Sequence, residues 1–156
     1  MEFRASGSSP GAWLHRKKFT HTDNNITSQK LLINASWNPI CALSRSRDAF
    51  ILQSSPEAHS MIRDVMLEIA SVAHACGEDG INEELIDFQL GRAMKRGLPG
   101  VQPSMMADAL EGRRMEVEAI VGGVVRLARE KGVKVPMLRC VYVLANALDK
   151  SFARVD

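Results

Sequence analysis

A chain of 156 residues, 46% hydrophobic and 24% charged, is long enough to bury one core and too apolar to remain disordered throughout. Its net charge of +2 is too small for the electrostatic footprint of a nucleic-acid binder, and no apolar run approaches the roughly 18 residues that a membrane span needs. Aromatic residues at 5%, set against eight methionines, favour helix-on-helix packing over a β-sandwich.

Residues 1–26 are rich in Ser, Gly, Thr, Asn and basic side chains, carry no sustained periodicity, and read as a flexible leader ahead of one helical domain over 27–156. The cluster Arg16-Lys17-Lys18 reads as a solvated feature of that leader, and residues 30–156 balance at 16 basic and 16 acidic side chains. Cys41, Cys76 and Cys140 are widely spaced with no CxxC pair. Each sits among apolar residues and reads as a small buried hydrophobe, and no metal site is predicted. With no apolar signal-peptide core near Met1, the expected compartment is the reducing cytoplasm, and the sequons at Asn25 and Asn34 are discounted.

A first helix is predicted from Ser28 to Leu43, with a kink or break near Asn38 because Pro39 lacks the backbone donor. Ser55 can cap the next helix with Pro56 at its first position. Its apolar face runs Met61, Ile62, Val65, Met66, Ile69, Ala70, Ala73 and Cys76, and Gly77 is placed to end it. Asn82 can cap a third helix whose Glu83 and Glu84 suit the positive end of the dipole, stopping near Arg96-Gly97. Residues 98–103 form a loop, and a short helix runs from Ser104 to Gly112. A long helix follows from Met115 to Lys131 and stops before Gly132, and Pro136 opens a last one carrying Leu138, Val141, Leu144, Ala145 and Leu148. No hairpin signal or alternating run is present, so the predicted fold is all-α.

Two segments carry chemistry. Positions four apart on a helix lie nearly above one another, so Lys30, Asn34 and Asn38 form one polar line on an otherwise apolar helix. A buried amide without a partner costs about 1–3 kcal/mol, and an unpaired ammonium more, so the line must meet water, an internal acid or a ligand. An amphipathic surface helix also produces this spacing. The second segment, Ser104 to Glu118, reads on composition as a capped short helix followed by a charged corner.

Taken together, Lys30-Leu31-x-x-Asn34-x-x-x-Asn38-Pro39, then Ser104-Met105-x-x-Asp108 and Gly112-Arg113-x-x-Glu116, resemble the C-terminal domain of ketopantoate reductases (2-dehydropantoate 2-reductases). The match continues through Gly123, Leu127 to Val133, and Pro136, covering roughly residues 28–153. The resemblance implies an all-α domain of the kind that ends the 6-phosphogluconate dehydrogenases. It also implies NADPH-dependent reduction of 2-dehydropantoate to pantoate, on the route to coenzyme A. It assigns Lys30 as the general acid that protonates the nascent alkoxide, Asn34 and Asn38 as substrate-binding amides, Ser104 as the carboxylate-binding hydroxyl and Glu116 as the active-site acid, able to pair with the lysine or bind substrate.

Ala107 stands where the family has Gln, Met115 where it has Thr, and Val121-Gly122 where it commonly has Asn-Gly. A further substrate-contacting asparagine of some members is matched by Asp48 or is absent. These departures leave the main constellation intact and open the substrate to a related 2-keto acid. The family's N-terminal Rossmann domain, with its Gly-x-Gly-x-x-Gly turn, has no counterpart here, so this chain alone is not expected to bind NADPH. Two expectations follow. The chain is the substrate-binding and catalytic half of a reductase, inactive without a separate Rossmann-domain partner, or it is a stand-alone non-catalytic helical module. The non-catalytic module would expose an apolar patch where the Rossmann half docks, and self-association of the isolated chain would fit that.

Overall fold

A computed structural model describes residues 21–153, with side chains from Ser28 onward. The leader through residue 20, including Arg16, Lys17 and Lys18, lies outside the described residues. Seven α-helices are present among those described: α1 (His21–Ser44), α2 (Asp48–Ser54), α3 (Ala58–Ala75), α4 (Glu83–Met94), α5 (Ser104–Leu110), α6 (Gly123–Lys131) and α7 (Pro136–Ser151). A π-helical turn at Glu118–Gly122 runs directly into α6. The described residues contain no strand, and the domain is all-α as predicted. No helix among them is long and apolar enough to cross a membrane.

α1 opens at His21, seven residues before the predicted start, so residues 21–26 extend the helix instead of preceding it. Adding residues to a nucleated helix is far easier than starting one. The same helix continues through Pro39 to Ser44, and the predicted break does not occur. Residues 35–42 are buried without interruption. Packing on all sides of that segment outweighs the roughly 3 kcal/mol that an interior proline costs a free helix. Within it the Ser36 hydroxyl donates to the Leu32 carbonyl at 2.5 Å, which keeps a buried polar group satisfied.

The other helices show why their ends could be read. Gly77, at φ +83°, closes α3: its N–H donates to the His74 carbonyl and that of Glu78 to the Ala73 carbonyl. The Asn82 side chain accepts the Leu85 N–H at 2.9 Å and caps α4. α3 starts at Ala58, two residues later than a helix with Pro56 at its first position, because the Ser55 hydroxyl instead accepts the Glu57 N–H in a tight turn. Pro136 is the first residue of α7, and that end is capped from outside: the Glu68 carboxylate of α3 accepts the Met137 and Leu138 N–H groups at 3.1 and 2.8 Å.

α1 is the central element, packing against α2, α3, α5, α7 and the π-turn, while α3 joins α4, α6 and α7. The main core includes Leu32, Trp37, Ile62, Met66, Ile69, Ile86, Leu90, Val121, Val124 and Leu138, all buried. A smaller cluster of Ala42, Met105, Ala109, Met115, Val117 and Ala145 joins α1, α5 and α7. Of the predicted apolar positions on α7, Leu144 is 53% exposed and faces away from this core. The cysteines also divide: Cys41 is buried, Cys76 half-buried and Cys140 exposed, so the uniform expectation of burial fails at Cys140. Its place on α7, within a turn of the exposed Val143 and Leu144, lies on the outward side of the helix.

The predicted long helix from Met115 is shorter and irregular at its start. Asp149, buried on α7, accepts two guanidinium donors from Arg114 and the Met115 N–H, holding residues 114–115 outside the helix. The π-turn then places Gly122 against α7, where a Cβ would stand 3.1 Å from the Tyr142 ring and 2.7 Å from a Glu118 carboxylate oxygen.

Candidate functional site

Asn34 and Asn38 come to one cavity because they lie one turn apart on α1. Asn38 is buried and Asn34 half-buried, and the Asn38 Nδ2 stands 3.5 Å from the Asn34 Oδ1. That contact is at the long limit of a hydrogen bond, so both amides keep capacity for a ligand. The cavity has a volume of about 340 Å³, within the range of small-molecule sites.

A second wall comes from α4. Gln89 is buried there, Arg92 follows in the last turn, exposed at the rim, and Arg96 lies just beyond the helix end. The third wall is the segment leading into α5, with Val101, Pro103 and Ser104. Ser104 is the first residue of α5, with Pro103 at the capping position and no side-chain cap.

Asp48 ties these walls together. Its carboxylate is buried and accepts the Ala49 and Val101 N–H groups, each at 2.7 Å, while Arg96 Nη1 donates to its other oxygen. The Asp48 N–H donates in return to the Val101 carbonyl at 3.4 Å. Arg47 reaches the same loop, donating to the Gly100 carbonyl and to the Gln102 side chain. Gly100 has φ +86°, and a Cβ there would lie 2.5 Å from the Asp48 Oδ1. Only glycine lets the loop approach this closely, and the approach sets where Ser104 stands. The same carboxylate contributes to raising the Cys41 thiol: burial first, then the negative charge of Asp48, push its pKa up to about 12.

The structure therefore brings Asn34, Asn38 and Ser104 together. Lys30, one turn before Asn34 on α1, is exposed and does not line the cavity. Glu116 is also exposed and outside the lining, in the irregular segment between α5 and the π-turn. Among the described residues no ion pair joins it to Lys30. The Arg114–Asp149 clasp directs the chain at this point toward α7.

Gln89, Arg92 and Arg96 were missed by sequence reasoning. Arg92 sits in the last turn of α4 and Arg96 just beyond its end, and basic residues near a helix C-terminus read as a favourable match to the helix dipole. Only the packing of α4 beside α2, with Asp48 receiving Arg96, brings both to the cavity. No group of three His, Cys, Asp or Glu side chains among the described residues could hold a metal ion. A second cavity of about 430 Å³ lies between α6 and α7, rimmed by Arg129, Lys134 and Arg139, and none of the predicted site residues lines it.

The chain is similar to known proteins over most of its length. Residues 24–149 match the family profile described as ketopantoate reductase PanE/ApbA C terminal. A 2-dehydropantoate 2-reductase of Nostoc sp. is 28% identical over 121 residues, covering 78% of this chain and 37% of that protein. The 2-dehydropantoate 2-reductase of Vibrio cholerae is 27% identical over 128 residues, covering 81% and 41%. The dimeric ketopantoate reductase of Staphylococcus aureus superposes with a TM-score of 0.75 at 28% identity, over 86% of this chain and 46% of its own. The chain thus spans less than half the length of these three relatives.

Proposed function

The chain belongs to the ketopantoate reductase family, as its C-terminal domain, and from that premise we propose that it forms the substrate-binding and proton-donating half of an NADPH-dependent 2-dehydropantoate 2-reductase. The observation that carries the reading is the meeting of Asn34, Asn38 and Ser104 on one 340 Å³ cavity. These three residues come from elements 66 residues apart in sequence, yet they supply neutral donors and acceptors to a single small volume.

The described residues contain no strand, and so no strand–turn–helix unit of the Rossmann kind. The reductant is assigned to a Rossmann-type domain outside these residues. In the proposed reaction Asn34 and Asn38 orient the keto acid through its oxygen atoms, and Ser104 donates to its carboxylate. Lys30 lies about 6 Å along the helix axis from Asn34. Its flexible four-carbon stem brings the ammonium to the cavity mouth, where it stabilises negative charge developing on the ketone oxygen and delivers a proton to it. Glu116 remains the second catalytic candidate, recruited when the two domains close. The cytoplasm is the proposed compartment.

The alternative, a non-catalytic helical module, has support in the exposed apolar side chains beside the site: Leu98 at 57% and Val101 at 48%. The same side chains suit a docked Rossmann domain. The deciding experiment fuses the nucleotide-binding domain of a family reductase ahead of this chain and follows NADPH oxidation with 2-dehydropantoate. Turnover is expected, and Lys30→Ala should lower kcat by about 10²- to 10⁴-fold with folding unchanged. Equal turnover by the variant would remove Lys30 from the reaction. A folded fusion with no turnover and no substrate binding would favour the non-catalytic module.

A further inference from the structure

The two guanidiniums on the cavity wall are not equivalent. Arg96 donates to the buried Asp48 carboxylate, whose remaining acceptor capacity is taken by the Ala49 and Val101 N–H groups. Its charge is neutralised inside the protein. Arg92, four residues earlier in the last turn of α4, is exposed at the rim and forms no ion pair among the described residues. Its guanidinium lies 5.9 Å from the centre of the Phe88 ring, a ring that is itself 57% exposed. The rest of the polar lining is neutral: Asn34, Asn38, Gln89 and Ser104. Among the residues that line the cavity, Arg92 therefore supplies the one unpaired positive charge, beside amides and a hydroxyl.

We propose that Arg92 receives the carboxylate of the ligand bound in this cavity, and that Asp48, by holding Arg96, restricts the site to ligands with a single carboxylate. A planar guanidinium presents two parallel donors that match a carboxylate, and Ser104 adds a third donor without charge. A second carboxylate entering the same volume would meet the Asp48 oxygens with no further unpaired cation in the lining to offset them. The inference deepens the reading of the cavity as a 2-keto acid site and rests on it. It adds a charged residue to that site and defines the ligand class as a monoanion.

The test titrates the full 156-residue chain with 2-dehydropantoate, its neutral methyl ester and 2-oxoglutarate, following amide shifts by NMR and thermal stability in parallel. The wild-type protein should bind the acid at least about 10-fold more tightly than the ester or the dicarboxylate. Arg92→Gln should weaken the acid by about 10- to 100-fold while leaving the ester and the melting temperature unchanged, and Arg92→Lys should restore part of the loss. Asp48→Asn, which frees Arg96, should raise affinity for 2-oxoglutarate by about 10-fold, and no gain there would overturn the role given to Asp48. Equal affinity for acid and ester, or wild-type affinity in Arg92→Gln, overturns the role of Arg92. If Asn34→Ala still abolishes binding in that case, the cavity reading stands without it. Failure of the wild-type chain to bind the acid at concentrations on the order of 10 mM overturns both. Should Arg92→Gln not fold, the acid-to-ester ratio on the wild-type protein decides alone.

Discussion

Cys41 and Cys140 are the same side chain in opposite surroundings, and the difference is measurable. Burial and the neighbouring Asp48 push the Cys41 thiol up to about 12, so it holds almost no thiolate at neutral pH. Cys140 is exposed on α7. A thiol reagent at pH 8 should therefore modify Cys140 readily in the native protein, and Cys41 only after unfolding. Mass spectrometry of the peptides would check this, and rapid native labelling of Cys41 would contradict its burial. Asp149 is a second residue with a readable signature. The Arg114 guanidinium, aided by the Met115 N–H, holds its carboxyl below the ordinary 3.8, and the Tyr142 hydroxyl and Arg126 hold Glu118 below 4.5. Because both folded values are depressed, their stabilisation is complete above the unfolded values and is lost as pH falls through the folded ones. Stability should stay level between about pH 5 and 8 and decline below about pH 4. Asp149→Asn should flatten part of that decline and cost about 1–3 kcal/mol at pH 7, seen in denaturant titrations.

At the scale of the element, legibility followed from whether local chemistry decided the outcome. Gly77, Asn82 and Pro136 act on their own backbones, and the helix ends they mark are where the sequence places them. α2 escaped notice because its seven residues have no side-chain cap, and Asp48 instead serves the loop at Val101. Pro39 misled because its local cost is overruled by burial on every side. The π-turn depends on Tyr142 packing at Gly122, a tertiary contact with no local signal. Gly100 offers a direct test of the Asp48 junction. With φ at +86° and a Cβ that would sit 2.5 Å from Asp48 Oδ1, Gly100→Ala should destabilise the protein by at least about 2 kcal/mol. Ligand binding should fall with it, since the same loop delivers Ser104. A neutral thermal shift would show that the junction can relax.

Across the molecule, the candidate site was legible in part. Asn34 and Asn38 share a helix face, so spacing alone placed them together, and the family resemblance added Ser104. The α4 wall was invisible because nothing in its residues says which way the helix will turn. The packing order of the whole chain has one more consequence. α1 finds much of its burial against α5 and α7, and α7 ends at Ser151. On the ribosome the central helix emerges long before its covers. From residue 44 to residue 151 is roughly 5–20 s of synthesis at ordinary rates. Throughout that interval Leu32, Trp37 and Ile40 have only part of their final surroundings, so the nascent chain presents a transient greasy segment of the kind that chaperones bind. Completion of the last helix, more than the formation of the first, is the event that commits this protein to its native state.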